Sequence, residues 1–183
     1  MLFRSAIALA VSPVDGNHLL LATDSGLLRS RNGGLEWTVE APSVLVGAVF
    51  AVAFDADGRR ALASTGSAIF RSEDDRSWES WHRAATPPEA APARVLVAGA
   101  RGRAYLAGWR RVYRTEDGGA SWSDAAAGLP DEPVAALAVV PGPAEILYAV
   151  VAGRAWTSAD AGRTWQERGT GLQIGRASCR ERV

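Results

Sequence analysis

Short apolar segments separated by turn residues run along the whole chain, and none of them has the 3.6-residue period of a helix. Clusters of Gly, Pro, Asp, Asn and Ser separate successive segments, as is typical of short β-strands joined by tight turns. The pattern predicts strands in groups of four. The predicted first strands are 6–12, 49–54, 94–98 and 134–140, the second strands 19–23, 61–64, 104–107 and 146–151, and the third strands 27–30, 69–72, 112–115 and 155–158.

One motif follows each predicted third strand, starting at residues 30, 72, 115 and 158, and such a steady spacing is typical of a repeat protein. Its third position is Asp or Asn, which accepts hydrogen bonds from backbone N–H groups of its own turn. Its fifth position is mostly Gly, which tolerates positive φ, and a Trp closes it and is predicted to pack between neighbouring sheets. The predicted structural residues are Ser30, Asn32, Gly34, Trp37, Ser72, Asp74, Trp78, Thr115, Asp117, Gly119, Trp122, Ser158, Asp160, Gly162 and Trp165.

The second copy of the motif is irregular, because it is one residue shorter and has Arg76 where Gly is expected. We expect a distorted turn at this place. Trp81 and His82 follow the shorter turn and are predicted to fill the space that it leaves.

The motif Ser/Thr-x-Asp-x-Gly-x-Ser/Thr-Trp resembles the Asp box, or BNR repeat, and the resemblance covers residues 5–172. Asp boxes occur in β-propellers of sialidases, xyloglucanase-type glycoside hydrolases, sortilin-type receptors and photosystem II assembly factors. The resemblance implies an all-β propeller with four four-stranded antiparallel blades, at about 5–42, 43–86, 87–130 and 131–173, in an open arc. It also implies that the box residues are structural and lie away from the ligand face. The family favours an extracytoplasmic location, although the chain shows no clear signal peptide.

Residues 174–183 break the repeat and resemble the translation of a sequencing adaptor. We expect this tail to be non-native and outside the fold, and the natural chain to continue beyond Gln173. The tail holds the only cysteine, Cys179, so disulfides and cysteine metal sites are not expected in the repeats.

Composition narrows the range of partners. Arginine supplies all 20 basic residues against 20 acidic ones, so the net charge near zero gives no bulk electrostatic reason to bind nucleic acid. No stretch approaches the roughly 20 apolar residues that a membrane span needs. Neither His18 nor His82 has a partner at metal-ligand spacing, and we expect no metal and no cofactor. Abundant Ala, Arg and Gly indicate a GC-rich bacterial genome.

The sequence offers no catalytic constellation. A sialidase needs an arginine triad and a tyrosine nucleophile, but the three tyrosines lie inside predicted strands. A xyloglucanase needs two aspartates on loops beside a long cleft. The loop aspartates Asp24, Asp55, Asp57, Asp124 and Asp131 belong to no distinguishing motif. The sequence therefore favours a binding or interaction scaffold for protein, peptide or carbohydrate, with no catalytic residues. The alternative is a fragment of a glycoside hydrolase, xyloglucanase-like or sialidase-like, whose catalytic loops lie elsewhere.

The loops between second and third strands are predicted to line the ligand face of the propeller. Those loops contain Trp109, Arg110, Arg111, Arg154 and Asp24, which are the candidate ligand-binding residues. An exposed tryptophan beside arginines suits a sugar, a peptide or an acidic group. The alternative is that Trp109 packs on the adjacent blade while the arginines are solvated.

Three arginines recur one residue before the motif, at Arg29, Arg71 and Arg114. Their regular spacing favours a structural role, such as pairing with a neighbouring strand, over a ligand site.

Overall fold

The computed structural model of the protein describes residues 5–73, 80–140, 142 and 144–169. Within these residues the chain forms sixteen β-strands and no α-helix. The strands are β1 (Ala6–Val11), β2 (Leu19–Thr23), β3 (Gly26–Ser30), β4 (Thr38–Glu40), β5 (Val49–Phe54), β6 (Ala61–Thr65), β7 (Ile69–Ser72), β8 (Trp81–Arg83), β9 (Val95–Ala98), β10 (Ala104–Ala107), β11 (Val112–Thr115), β12 (Ser123–Asp124), β13 (Val134–Val140), β14 (Ile146–Val151), β15 (Arg154–Ser158) and β16 (Gln166–Arg168).

Consecutive strands pair in antiparallel fashion and form four separate four-stranded sheets, β1–β4, β5–β8, β9–β12 and β13–β16. The inner strands contact the next sheet along the chain: β1 and β2 contact β5, β5 and β6 contact β9, and β9 and β10 contact β13. The prediction of an all-β propeller with four four-stranded antiparallel blades in an open arc is confirmed. In three sheets the first strand has a register shift near its start, and such an irregularity increases the local twist.

Each sheet has two faces because side chains alternate along a strand. We call the face that packs on the preceding sheet the N-side face and the face that packs on the following sheet the C-side face. Three apolar clusters fill the three gaps between adjacent sheets. In the first gap, for example, Leu20 and Leu27 from the C-side face of the first sheet meet Val52 and Phe54 from the N-side face of the second. The core is therefore divided into layers between sheets.

A buried polar cluster ties the first sheet to the second. The Arg29 guanidinium donates to both carboxylate oxygens of Glu40, at 2.8 and 2.7 Å, and its Nη1 lies 2.8 Å from Nε2 of His18. Trp81 of the second sheet donates to the same carboxylate at 2.7 Å, and the His18 ring packs edge-on against Phe54. The carboxylate of Glu40 is thus shared between an ion pair within one sheet and a hydrogen bond from the next.

A second buried carboxylate joins the third and fourth sheets. Glu145 precedes β14, is fully buried, and accepts hydrogen bonds from the backbone N–H of Ala100 and from the hydroxyl of Tyr105, the latter at 2.5 Å. Arg103 lies 3.4 Å from the carboxylate. Burial and the bond to Glu145 raise the pKa of Tyr105, so the phenol keeps its proton and remains a donor.

The other two recurring arginines also have partners. Arg71 pairs with Glu73 at 2.7 Å. Arg114 lies 3.4 Å from Glu116 and donates at 3.0 Å to the carbonyl of Ala161 in the turn of the fourth sheet. The three recurring arginines are therefore all paired, as a structural role predicts, but each has a different set of partners.

The turns between third and fourth strands share one hydrogen-bond pattern in the first, third and fourth sheets. In the fourth sheet the Ser158 hydroxyl donates to Asp160 at 2.7 Å and accepts from the backbone N–H of Gly162 at 2.9 Å. Asp160 in turn accepts from the backbone and the hydroxyl of Thr164, at 2.8 and 2.6 Å. The equivalent bonds are made by Thr115, Asp117, Gly119 and Ser121 in the third sheet, and by Ser30, Asn32, Gly34 and the backbone of Glu36 in the first. The three glycines have φ between 82° and 89°.

The turn of the second sheet lies largely outside the described residues, and with it Asp74 and Trp78. Strand register nevertheless identifies one residue of that sheet. Trp81 pairs with Ser72, and the same register position next to the third strand is held by Trp37, Trp122 and Trp165 in the other sheets. Trp81 is buried in the gap between the first and second sheets, where the motif tryptophans were expected to pack.

Candidate binding groove

One groove lies among the loops that connect successive sheets and the loop between the second and third strands of the third sheet. It holds about 320 Å³ and is open to solvent. Because these loops all follow strands of the same direction, they share one face of the molecule. The lining residues are Glu89, Ala91, Pro92, Arg94, Ala107, Gly108, Trp109, Pro133 and Val134.

Long-range contacts fix the wall that is formed by the β8–β9 connection. The Tyr113 hydroxyl donates to the carbonyl of Pro88 at 2.5 Å, and the backbone N–H of Ala93 donates to the Ser64 hydroxyl at 2.9 Å. Gly108 allows a close approach, because a Cβ at this position would lie 2.6 Å from the carbonyl oxygen of Glu89. The wall is therefore held by the third sheet on one side and by the second on the other.

The opposite wall comes from the Trp109 loop and the connection to the fourth sheet. The backbone N–H of Val134 donates to the carbonyl of Trp109 at 3.2 Å, which joins the two segments. The Trp109 side chain is 66% exposed, although it is one of the largest apolar groups in the chain. Of the two alternatives left open by the sequence, this exposure favours a tryptophan available to a ligand.

The groove lining is mixed, with somewhat more apolar than polar surface. Alanine, proline and valine supply five of its nine lining residues, while Glu89 and Arg94 add one acid and one base. The Arg94 guanidinium lies 5.6 Å from the centre of the Phe50 ring, within the range of a cation–π contact. An aromatic platform, apolar walls and exposed charges are what a peptide segment needs in order to bind.

Of the five predicted ligand-binding residues, only Trp109 lines this groove. Arg111 pairs with Asp124 at 2.7 Å and Arg154 with Glu167 at 3.3 Å, in both cases between the third and fourth strands of a sheet. Register shows that these two arginines occupy equivalent positions in the third and fourth sheets. Both therefore make a repeated ion pair at the outer strands.

The other two predicted residues also lie outside the groove lining. Arg110 is 3.9 Å from Asp131. Asp24 lies in the turn between β2 and β3, where its backbone N–H donates to the carbonyl of Ser5 at 3.3 Å. The structure thus does not gather the five residues into one site.

Sequence reasoning missed the β8–β9 connection as part of the site. The sequence does mark this connection, because it is the longest described connection between two sheets and has prolines at 87, 88 and 92. Proline restricts the backbone and gives such a segment a defined shape without strand pairing.

A second cleft of about 430 Å³ lies on the opposite face, between the second and third sheets. Its charged lining residues are Asp55, Asp57, Arg60, Arg101, Glu116 and Asp117. Burial, followed by a hydrogen bond with Asp57, raises the pKa of Asp55 to about 6, while the same hydrogen bond lowers the pKa of Asp57. Asp55 therefore keeps its proton in mildly acidic solution, whereas the ionised form of Asp57 is favoured.

In the described part of the chain, no group of three or more His, Cys, Asp and Glu side chains has the arrangement of a metal site. Across the same residues, no helix is long and apolar enough to cross a membrane.

Comparison with known proteins shows the fold. Neither a protein family nor a curated protein matches the chain. Among solved structures, the chain superimposes on an ancestral GH74 enzyme with a TM-score of 0.74 and 21% identity, covering 94% of this chain and 26% of that one. It superimposes on the GH74 xyloglucanase from Xanthomonas campestris with a TM-score of 0.68 and 20% identity, covering 88% of this chain and 29% of that one. It superimposes on YCF48 bound to D1 peptide with a TM-score of 0.65 and 17% identity, covering 91% of this chain and 56% of that one.

These matches establish a β-propeller architecture, which the chain shares with GH74 enzymes and with YCF48. The chain spans between a quarter and a third of the length of the two GH74 proteins and just over half of YCF48.

Proposed function

We propose that the chain is an Asp-box propeller module that binds an extended protein segment in the groove beside Trp109. The observation that carries this proposal is the exposure of the Trp109 side chain on the wall of a defined groove. Burying a tryptophan of this size against a partner removes a large apolar area from water, and tryptophan is enriched among the residues that dominate binding energy.

The position of the groove supports a peptide over a compact small molecule. Three separate loops build it, and it is open to solvent, so segments from different parts of the fold can contact one bound chain. Both walls are held by hydrogen bonds to neighbouring sheets, so little ordering is needed on binding. YCF48, a similar propeller, has been solved with D1 peptide bound, so that propeller does hold a peptide.

The turns support assignment to the Asp-box class. Three turns use a Ser or Thr hydroxyl, an Asp or Asn side chain and a glycine with positive φ in the same way. All of these side chains are engaged in bonds within their own turn, which leaves them structural and removes them from the set of ligand contacts.

A peptide selection tests the proposed function. A displayed library of random linear peptides is selected on the full chain, and the recovered peptides are titrated against the wild type and two variants. We expect Trp109→Ala to weaken binding by about 30-fold or more, the loss typical of a dominant contact residue. Val46→Ala is the matched control, because Val46 is also an exposed apolar residue in a connection between sheets but lies outside the groove lining. Peptides that bind Trp109→Ala as well as wild type would refute the groove as the binding site.

A glycosidase is the second candidate function, favoured by the Asp55 and Asp57 pair. Opposite pKa shifts of two carboxyl groups are what a general acid and its partner need, and GH74 enzymes share the fold. Hydrogen bonding between the two carboxyls, however, places them closer than the roughly 5 Å that separates such a pair in glycosidases. The test is whether the chain releases reducing ends from xyloglucan. Release by the wild type that is lost in Asp55→Asn would support this candidate, and no release by either protein would exclude it for that substrate.

A further inference from the structure

The groove beside Trp109 carries one charge of each sign on a single wall. Glu89 and Arg94 both belong to the β8–β9 connection and both line the groove, with the apolar residues Ala91 and Pro92 between them. Both charged residues are exposed to solvent. The wall therefore presents an acid, an apolar stretch and a base in this order, while Trp109 lies on the opposite wall.

Neither charge is neutralised within the part of the chain that the structure describes. There, no base lies within 4 Å of the Glu89 carboxylate and no acid lies within 4 Å of the Arg94 guanidinium. The other arginines of the loops on this face, Arg110, Arg111 and Arg154, each lie within 4 Å of an acid. The charges of Glu89 and Arg94 are thus available to a partner.

Packing separates the two charges along the wall. Arg94 precedes β9, and its guanidinium lies 5.6 Å from the centre of the Phe50 ring in β5, so the charge is directed towards the second sheet. Glu89 lies against the third sheet, because its carbonyl oxygen would be 2.6 Å from a Cβ placed on Gly108. The base therefore lies towards the second sheet and the acid towards the third, which gives the groove a charge polarity.

The backbone at Glu89 favours a role in binding over a role in stability. Its φ is 61°, a left-handed conformation that glycine or asparagine adopts at lower cost. Residues held in such conformations cluster at ligand sites. The Glu89 side chain also forms neither a hydrogen bond nor an ion pair with the described residues, so it adds no contact that offsets this cost.

We propose that the groove selects a bipolar peptide segment, whose acidic side chain binds Arg94, whose basic side chain binds Glu89, and whose apolar side chain between them packs on Trp109. This inference rests on the proposed function, because it takes the groove to hold a peptide, and it adds which peptides the groove accepts. A segment with like charges at these places would meet repulsion, and repulsion of this kind excludes wrong partners. The charge order also sets the direction in which the segment lies.

Charge exchange between groove and peptide tests the proposal. Linear peptides selected from a random library on the wild-type chain are synthesised, and their dissociation constants are measured for the wild type and for Arg94→Glu. We expect each peptide to contain an acid, and Arg94→Glu to weaken its binding about 10-fold because two like charges then face each other. Replacing that acid by lysine should weaken binding to the wild type and restore binding to the variant. An equivalent experiment pairs Glu89→Arg with peptides in which the base is replaced by glutamate.

Restored binding also shows that the charge variants are folded. Arg163→Glu is the control, since Arg163 is an exposed arginine in the turn between β15 and β16, on the other face, and this variant should bind like the wild type. Peptides that require Trp109 but bind both charge variants as tightly as the wild type would overturn the charge selection and leave the proposed function standing. Lysine-substituted peptides that fail to regain binding to Arg94→Glu would overturn the direct contact. Peptides that bind Trp109→Ala as well as the wild type would overturn the groove itself, and both proposals with it.

Discussion

At the scale of single residues, the sharpest contrast is between two ion pairs that each join a third strand to a fourth. Arg29 and Glu40 are buried in the first gap, whereas Arg154 and Glu167 lie at the surface of the fourth sheet. The buried pair costs desolvation, and only its two charge-assisted bonds and its tryptophan donor offset that cost.

Glu40→Gln is therefore expected to lower the free energy of unfolding by about 3 kcal/mol, because it removes the carboxylate that faces a buried guanidinium. The matched change Glu167→Gln removes the acid of an exposed pair and is expected to cost less than about 1 kcal/mol. Denaturant unfolding of both variants measures the difference. Equal losses in the two variants would contradict the idea that burial makes the Glu40 pair the stronger constraint.

Single residues also show where the sequence was a limited guide to the site. Trp109 was identified from its loop position and its type, and the structure exposes it on the groove. Glu89 and Arg94 were not identified, because they reach the groove only through packing of the β8–β9 connection on other sheets. Arg111 and Arg154 each pair with an acid 13 residues away, and a sequence pattern does not reveal a cross-strand pairing of that kind.

At the scale of elements, the turn between third and fourth strands is the unit that the sequence predicted most completely. Hydroxyl, carboxylate and glycine positions follow from the chemistry of a tight turn alone, and the first, third and fourth turns show the corresponding bonds. The second sheet differs from the pattern. There a shortened motif offers Trp78 as the closing tryptophan, while strand register places Trp81 at the equivalent position.

The turns predict which substitutions of Asp160 are tolerated. Asp160→Ala removes the acceptor of bonds from Ser158 and Thr164, and we expect it to lower the free energy of unfolding by about 1 to 2 kcal/mol. Asp160→Asn should cost distinctly less, because Asn32 already makes the equivalent backbone bond in the first sheet. Thermal unfolding of the two variants provides the comparison. An Asn variant as unstable as the Ala variant would show that the charge, and not the acceptor geometry, stabilises the turn.

The same aspartates predict how stability changes with pH. Partial burial alone would raise the pKa of Asp117, but hydrogen bonds from Ser121 lower it to about 2, and hydrogen bonds from Thr164 lower the pKa of Asp160 to about 2. The ordinary value is 3.8, so the folded state favours the ionised form. Their contribution is therefore complete above about pH 4 and is lost as the pH falls towards 2.

Denaturant unfolding across this pH range measures the stability that the two ionised aspartates contribute. It compares the wild type with the double variant Asp117→Asn and Asp160→Asn. The stability difference between the two proteins should shrink as the pH falls from 4 to 2. Asp55 provides a control of opposite sign, because its pKa is raised to about 6 and its protonated form is favoured in the folded state. Asp55→Asn should therefore remove a loss of stability that occurs as the pH rises from about 4 to 6. A stability difference that stays constant with pH in either comparison would contradict the assigned shift.

At the scale of the whole molecule, stability depends on neighbouring sheets. The described part of the chain has three gaps between sheets, and each is filled by its own apolar cluster. In such a linear array each unit is stabilised mainly by contacts with its immediate neighbours. Among the described residues the second and third sheets are covered on both faces, whereas the first and fourth are covered on one, as the exposure of Leu9 and Tyr148 shows.

The rate of backbone hydrogen exchange should therefore depend on whether a strand lies in an outer or an inner sheet, and not on the length of the strand. We expect backbone amides of β2 and β14, in the outer sheets, to exchange faster than those of β6 and β10, although all four are second strands hydrogen-bonded on both sides. Mass spectrometry of exchanged peptides measures this difference. Uniform protection of the four strands would instead show that the four sheets unfold as one cooperative unit, in which the outer faces carry no local cost.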